Sequence, residues 1–144
     1  MKPNLTVLFD CNSWISFSMT NSQLRQIEKL FLLSNIQILS CQGLLEEFER
    51  VVKKPKLEKY LILERVEIAR FVLQESLLPL EIPANFPQIS RDPKDDYMLH
   101  FAAKYALDYI VTGDKDLLVL EKYGLTQIIT FNEFMSILEG KGLI

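Results

Sequence analysis

A single histidine, His100, leaves no material for a His-rich zinc site, and any Ser-His or Cys-His catalysis would rest on that one ring. The two cysteines, Cys11 and Cys41, form no CxxC pair, which excludes a disulfide framework and an all-cysteine zinc site. Five glycines compose neither GxGxxG nor GxxxxGK, so the usual signatures of dinucleotide and P-loop sites are missing. No apolar run approaches the ~20 residues of a membrane span. The apolar stretch ahead of Asp10 is also too short for a secretory core. Positive charge is in deficit: 16 Lys and Arg against 19 Asp and Glu give a net charge of −3. A protein that grips nucleic acid by bulk charge is thereby excluded, leaving only a local patch or bound cations for such contact. The expectation is a cytoplasmic protein with reduced thiols and no membrane segment.

What is present suffices for one packed core. Hydrophobic residues make up 49% of the 144, which excludes a disordered chain and predicts a single domain over residues 1–144. Leu5 to Phe9 is an apolar, β-rich run that stops at Asp10 and reads as a buried strand. Thr20 and Gln23 have capping-box spacing ahead of Leu24, Ile27 and Phe31. Ile36 to Leu39 predicts a second strand. Leu44, Leu45, Phe48, Val51 and Val52 then share one helical face, which Pro55 ends. Residues 56–78 read as further helix, followed by an irregular Pro79, Pro83 and Pro87 stretch with a short strand near Leu80–Ile82. Asp92-Pro93 opens another helix, with Leu99, Ala102, Ala103 and Ala106 as its core stripe. Tyr109 to Val111 is a third strand, Leu117 to Leu120 a short helix, and Gln127 to Ile129 a last strand. Thr130 and Glu133 cap a final helix through Phe134 and Leu138. Strands alternating with helices predict a three-layer α/β/α fold around a mainly parallel sheet.

In such sheets the ligand crevice lies at the carboxyl ends of the strands. Asp10 and Asp114 stand there, and the helices entering that edge carry Glu46, Glu47, Glu49, Asp92, Asp95 and Asp96 near their starts. At about 100° per residue Glu46 falls opposite the apolar face of its helix, while Glu47 and Glu49 flank that face, Glu47 nearer the edge. Asp92 is spent as an N-cap. Asp95, three residues on, can serve the exposed N–H groups of the first turn, which leaves Asp96 without a structural task. Each acid alone also reads as a cap or turn residue. As a set at one edge they repel one another unless a cation neutralises them, and oxygen-only donors select Mg²⁺ or Mn²⁺.

These residues resemble the PIN-domain ribonucleases over essentially the whole chain. The family opens with a strand into Asp-Thr-Asn; here it is Val7-Leu-Phe-Asp10-Cys11-Asn12. A helix of the form Leu-x-Glu-hydrophobic follows, here Leu45 to Phe48 around Glu47. The most specific segment runs from Arg91-Asp-Pro-Lys-Asp-Asp96 through Thr112-Gly-Asp114-Lys-Asp116. With the Lys54-Pro55-Lys56-Leu57 stretch, it is similar to the branch of toxins from toxin–antitoxin systems. The spacing to the Thr-x-Asp motif places the third family acid at Asp96.

The resemblance implies a metal-dependent endoribonuclease whose catalytic acids are Asp10, Glu47, Asp96 and Asp114. Asp10, Asp96, Asp114 and the auxiliary Asp116 would hold Mg²⁺ or Mn²⁺, with Asn12 and Thr112 orienting the carboxylates. It further implies in-line attack of hydroxide on phosphorus, 5′-phosphate and 3′-hydroxyl products, an RNA substrate, an antitoxin protein as partner, and a homo-oligomer among the assemblies to expect. Cys11 departs from the family's usual threonine and puts an oxidisable thiol beside the site.

Among the remaining residues, Lys53, Lys54 and Lys56, with Arg50 and Lys59, form the basic concentration and read either as an RNA-guiding strip or as a solvated face. Trp14 is a candidate for base stacking or for packing within the domain. His100 points away from the Leu99 stripe, toward the surface. The Phe71, Leu73, Leu77 and Leu78 region is either core or a seat for a partner helix. The same fold without catalysis would be a protein-binding scaffold, against which the intact acid set argues. An aspartyl-phosphate phosphatase would need an aspartate where Asn12 stands.

Overall fold

The computed structural model describes residues 5–81, 88 and 96–144. Strand β1 (Leu5–Phe9) leads into helices α1 (Cys11–Met19) and α2 (Asn21–Leu32), then β2 (Ile36–Leu39) and α3 (Gln42–Val52). A 3-10 turn at Pro55–Leu57 precedes α4 (Leu63–Glu75). After α5 (Asp96–Tyr105) come β3 (Tyr109–Val111), α6 (Lys115–Leu118), β4 (Lys122–Tyr123), β5 (Thr126–Ile129) and α7 (Phe131–Gly140). The sheet order is β2-β1-β3-β5-β4. All neighbours are parallel except β4, which returns antiparallel to β5. The expected mainly parallel α/β architecture is thus present.

Burial explains why these short runs are strands. Val7, Leu8 and Phe9 of β1 and all three residues of β3 are buried, as helices on both faces require. Register pairs Phe9 with Val111 and Leu8 with Leu39, so β1, β2 and β3 end at one edge. The chain leaves β1 toward β2 on one side and reaches β3 on the other. The order therefore reverses between β1 and β3, and a crevice opens at their carboxyl ends.

Phe9 is the hub of the core beneath that edge. Its ring meets Trp14, Phe17 and Phe134 edge to face at 5.7, 5.3 and 5.8 Å, and Phe134 meets Tyr109 at 5.6 Å. Trp14 is fully buried here, so it packs within the domain and is not a stacking platform for RNA. At the opposite end of the strands, the Asp108 carboxylate accepts from the Thr6 N–H and hydroxyl at 2.9 and 3.2 Å, which pins β1 to the entry of β3.

Several elements differ from the sequence reading. Helix α1 went unpredicted, because Cys11–Met19 carries no charge and three serines, so its helical stripe has no polar contrast. The expected capping box at Thr20 does not form: Thr20 is the N-cap of α2 without a side-chain bond. The long helix over 56–78 is broken, because Ile62 is extended (φ −106°, ψ 129°) and α4 begins only after it. Leu80 and Glu81 are not strand; instead Leu77 bridges Ser40, and the Leu78 N–H donates to the Ser40 carbonyl at 2.8 Å. Ile82 and the Asp92-Pro93 helix start lie outside the described residues. The inward face of α5 is Asp96, Met98, Leu99, Phe101 and Ala102, whereas Ala103 and Ala106 are exposed. Ala106 leaves the helix with φ 51°, which turns it out of the stripe. Strand β4 was missed because two residues carry no periodicity. The Thr130–Glu133 capping box of α7 forms as expected.

Replacing Phe134 by Ala should cost about 3–5 kcal/mol, the usual penalty for emptying a large aromatic from a packed core. Urea denaturation followed by circular dichroism measures it. A loss within about 1 kcal/mol, the surface range, would contradict the central place of this cluster.

Candidate active site

Asp10 is the first residue after β1 and caps α1: its Oδ1 accepts the Ser13 N–H at 2.8 Å. Its Oδ2 accepts the Thr112 hydroxyl at 2.5 Å, and the Asp10 N–H donates to the Val111 carbonyl at 3.1 Å. The carboxylate is therefore fixed from both strands flanking the crevice, although it is only 4% exposed. Thr112 continues the line by accepting the Asp114 N–H at 3.0 Å. Asp114 in turn caps α6, its Oδ1 accepting the Asp116 N–H at 2.9 Å. Asp10, Thr112, Asp114 and Asp116 thus form one hydrogen-bonded line along the ends of β1 and β3.

The other two expected acids reach the same edge from α3 and α5. Glu47 is half-buried, and its Oε1 accepts the Tyr97 hydroxyl at 3.3 Å. Tyr97 follows Asp96, which is 7% exposed in the first turn of α5. Glu46 is exposed, and Glu49 is bound at 2.6 Å to Arg70. Asp95 lies outside the described residues. Capping does not set the candidate acids apart, because Asp10 and Asp114 both cap helices.

The electrostatics report the same convergence. Burial pushes the Cys11 thiol from its ordinary 9.0 up to about 12, with the charges of Glu47 and Asp10 adding and those of Arg50 and Lys54 opposing. Burial also raises the Tyr97 phenol, helped by Glu47 and then by Cys41 and Cys11. Cys41 is raised chiefly by burial, against the N–H groups of Leu44 and Gly43. Glu47 is felt at all three groups, so the starts of α1, α3 and α5 meet around it. The expectation of an oxidisable Cys11 does not hold: it is 5% exposed and held as the neutral thiol, the unreactive form.

The remaining candidates fall as follows. Asn12 is exposed at the mouth of the crevice. Lys53, Lys54 and Lys56 are exposed beyond the end of α3, and Lys54 and Arg50 are close enough to act on Cys11. His100 is half-buried with Nε2 donating to the Glu81 carbonyl at 3.0 Å. Leu73 is core, whereas Phe71 is 55% exposed against Phe31. Sequence reasoning missed Ser13 and Tyr97 as the partners that hold Asp10 and Glu47. The Asp10-x-x-Ser13 spacing is a cap signal that could have found the first; nothing in the sequence marks the second.

The donor set is carboxylate oxygen, which suits a hard cation. Among the described residues, however, no three His, Cys, Asp or Glu side chains gather into a group that could hold a metal ion. Like charges resist such gathering without a cation between them.

A mainly parallel sheet whose strand order reverses between β1 and β3 defines the class of open α/β proteins with a crevice at that switch point. The family model of the PIN domain matches residues 6–116, and the chain belongs to that family, which is of nuclease type. The match runs from β1 through Asp116 and contains all five acids. No curated protein and no solved structure matches the chain. No helix among the described residues is long and apolar enough to cross a membrane.

Both thiols should resist Ellman's reagent at pH 8 in the native protein and react fully in denaturant. The fold also keeps a proton on Cys11 that the unfolded chain releases near 9.0. Its contribution to stability is therefore complete below about that pH and is lost as pH climbs toward about 12. Fast labelling of the folded protein would show that the thiols are not shielded. A stability flat from pH 8 to 11, compared with a Cys11→Ala variant, would contradict the proton linkage.

Proposed function

We propose that the chain is a metal-dependent endoribonuclease of a single domain, acting in the cytoplasm as the toxin of a toxin–antitoxin system. The observation that carries this reading is the hydrogen-bonded line Asp10–Thr112–Asp114 at the switch point, which fixes the Asp10 carboxylate and ties it to the backbone at Asp114 beside a crevice. Membership of the PIN family supplies the reaction type.

Asp10, Asp96, Asp114 and Asp116 would hold Mg²⁺ or Mn²⁺. Such an ion supplies a Lewis acid that lowers the pKa of bound water and offsets phosphate charge. The chain's own residues do the rest. Ser13 N–H and the Thr112 hydroxyl lock the Asp10 carboxylate, which spares it reorganisation during the reaction. Glu47, steadied by Tyr97, would orient the attacking water, and Asn12 at the mouth would help to align the carboxylates. Water oxygen joins phosphorus, the bond to the 3′ oxygen breaks, and a proton passes to that oxygen. The products carry 5′-phosphate and 3′-hydroxyl ends.

Net charge −3 works against RNA, so Lys53, Lys54 and Lys56 beside the acids would guide the backbone inward. An antitoxin would block the same edge with a basic side chain, for which arginine has the best geometry toward carboxylates.

The test is cleavage of a single-stranded RNA in EDTA and in Mn²⁺. Wild type should cut only with the ion, and Asp96→Asn should lose at least about 100-fold, the scale of one catalytic electrostatic contact. Asp95→Asn should retain most activity. Mn²⁺ should also raise the melting temperature of wild type more than that of Asp114→Asn, because the ion binds the folded site in preference to the open chain. Equal loss in the Asp95 and Asp96 variants would overturn the assignment of Asp96. Absence of cleavage by folded wild type under every ion would make the chain a protein-binding scaffold.

A further inference from the structure

Beside the acidic line lies a cavity of about 300 Å³ whose lining carries no charged side chain among the described residues. Its walls come from α1, from α2, from the end of β3 and from the first turn of α7. Three amides face it, those of Asn12, Gln23 and Asn132, together with Ser16, the ring of Phe131 and Thr112. No hydrogen bond within the described residues engages the three amide side chains. The acidic line itself accounts for Thr112, the one residue shared by both features.

The lining selects a ligand by elimination. A phosphate or carboxylate would seek a cation or free N–H groups at a helix start; the lining has no cationic side chain, and the Ser13 and Glu133 N–H groups are already taken by Asp10 and Thr130. An extended polymer needs more room, since this volume is at the small end of about 300–1,000 Å³ for ligand pockets. A heterocyclic base suits it: an amide offers one donor and one acceptor in a plane, and Phe131, half-buried against Phe17 at 5.1 Å, offers a ring face. Among bases, guanine is read by Arg or Lys, cytosine by Asp or Glu and adenine by Asn or Gln, while uracil lacks the methyl group through which its counterpart thymine is read.

We propose that this cavity receives one unpaired adenine of the RNA, immediately beside the phosphodiester held at Asp10. The proposal rests on the ribonuclease reading and adds to it the base that fixes where the strand is cut. Thr112 belongs to both the cavity lining and the acidic line, so a base seated in the cavity lies next to the residue that holds Asp10.

The experiment separates the two readings. In EDTA, isotope-labelled wild type is titrated with adenosine, guanosine, cytidine and uridine, and the side-chain amide resonances of Asn12, Gln23 and Asn132 are followed. Adenosine should shift those resonances and bind at least about tenfold tighter than the other three, within the range of one good amide–base contact. The Gln23→Ala, Asn132→Ala double variant should lose that preference. In Mn²⁺, oligoribonucleotides with one adenine in a uridine background should be cut at a constant distance from it. Wild type that shows no shift at the three amides, or equal shifts with all four nucleosides, overturns the adenine pocket even if RNA is cut. Selective adenosine binding without cleavage upholds the pocket and overturns the ribonuclease reading.

Discussion

The Thr112 hydroxyl is the contact on which this edge of the molecule depends. It donates to Asp10 across the β1–β3 boundary and accepts from the backbone of Asp114. One side chain thereby joins the start of α1 to the start of α6 and holds the Asp10 carboxylate against the backbone that leads into Asp114. The bond is possible only because β1 and β3 are adjacent and end in register, Phe9 against Val111. That register follows from apolar runs too short to slide once both faces are covered. Sheet order, strand length and the orientation of the candidate acids are in this sense one constraint.

Charge is distributed to match. Glu47 and Asp10 both act on Cys11, while Arg50 and Lys54 oppose them from outside. The field thus changes sign within a short distance, acidic in the crevice and basic at its rim. In the ribonuclease reading proposed above, a polyanion would meet the basic rim first. The neutral cavity on the other flank of Thr112 offers no charge to either, which suits it to a part of the ligand that has none.

The strands and the amphipathic helices were legible because their burial is written in hydrophobic period: Leu44, Leu45 and Phe48 on α3, Val7 to Phe9 on β1. The place of Asp10 and Asp114 just beyond β1 and β3 was legible too, since each follows an apolar run that ends abruptly. Helix α1 was not, because an uncharged helix with serine on its outer face has no contrast for periodicity to detect. The break at Ile62 was hidden since a β-branched residue fits either a helix or an extended step. Capping proved a poor sieve among the candidate acids. Asp10 and Asp114 do what Asp92 was assigned to do, and nothing in their spacing reveals a second task. Tyr97 as the support of Glu47 depends on how α3 and α5 approach each other, which no local pattern encodes.

That double employment of Asp10 and Asp114 has a consequence for anyone interpreting variants of this edge. An aspartate that holds a helix end and also faces the crevice performs two tasks at once, and alanine abolishes the two together. Asparagine keeps an oxygen for the N–H groups of Ser13 or Asp116 and removes only the charge. Glu47 lies within α3 and caps nothing, so alanine and glutamine there should differ far less. The gap between the truncated and the charge-neutral phenotypes, position by position, is therefore a ruler for how far architecture and chemistry have been fused in a single side chain.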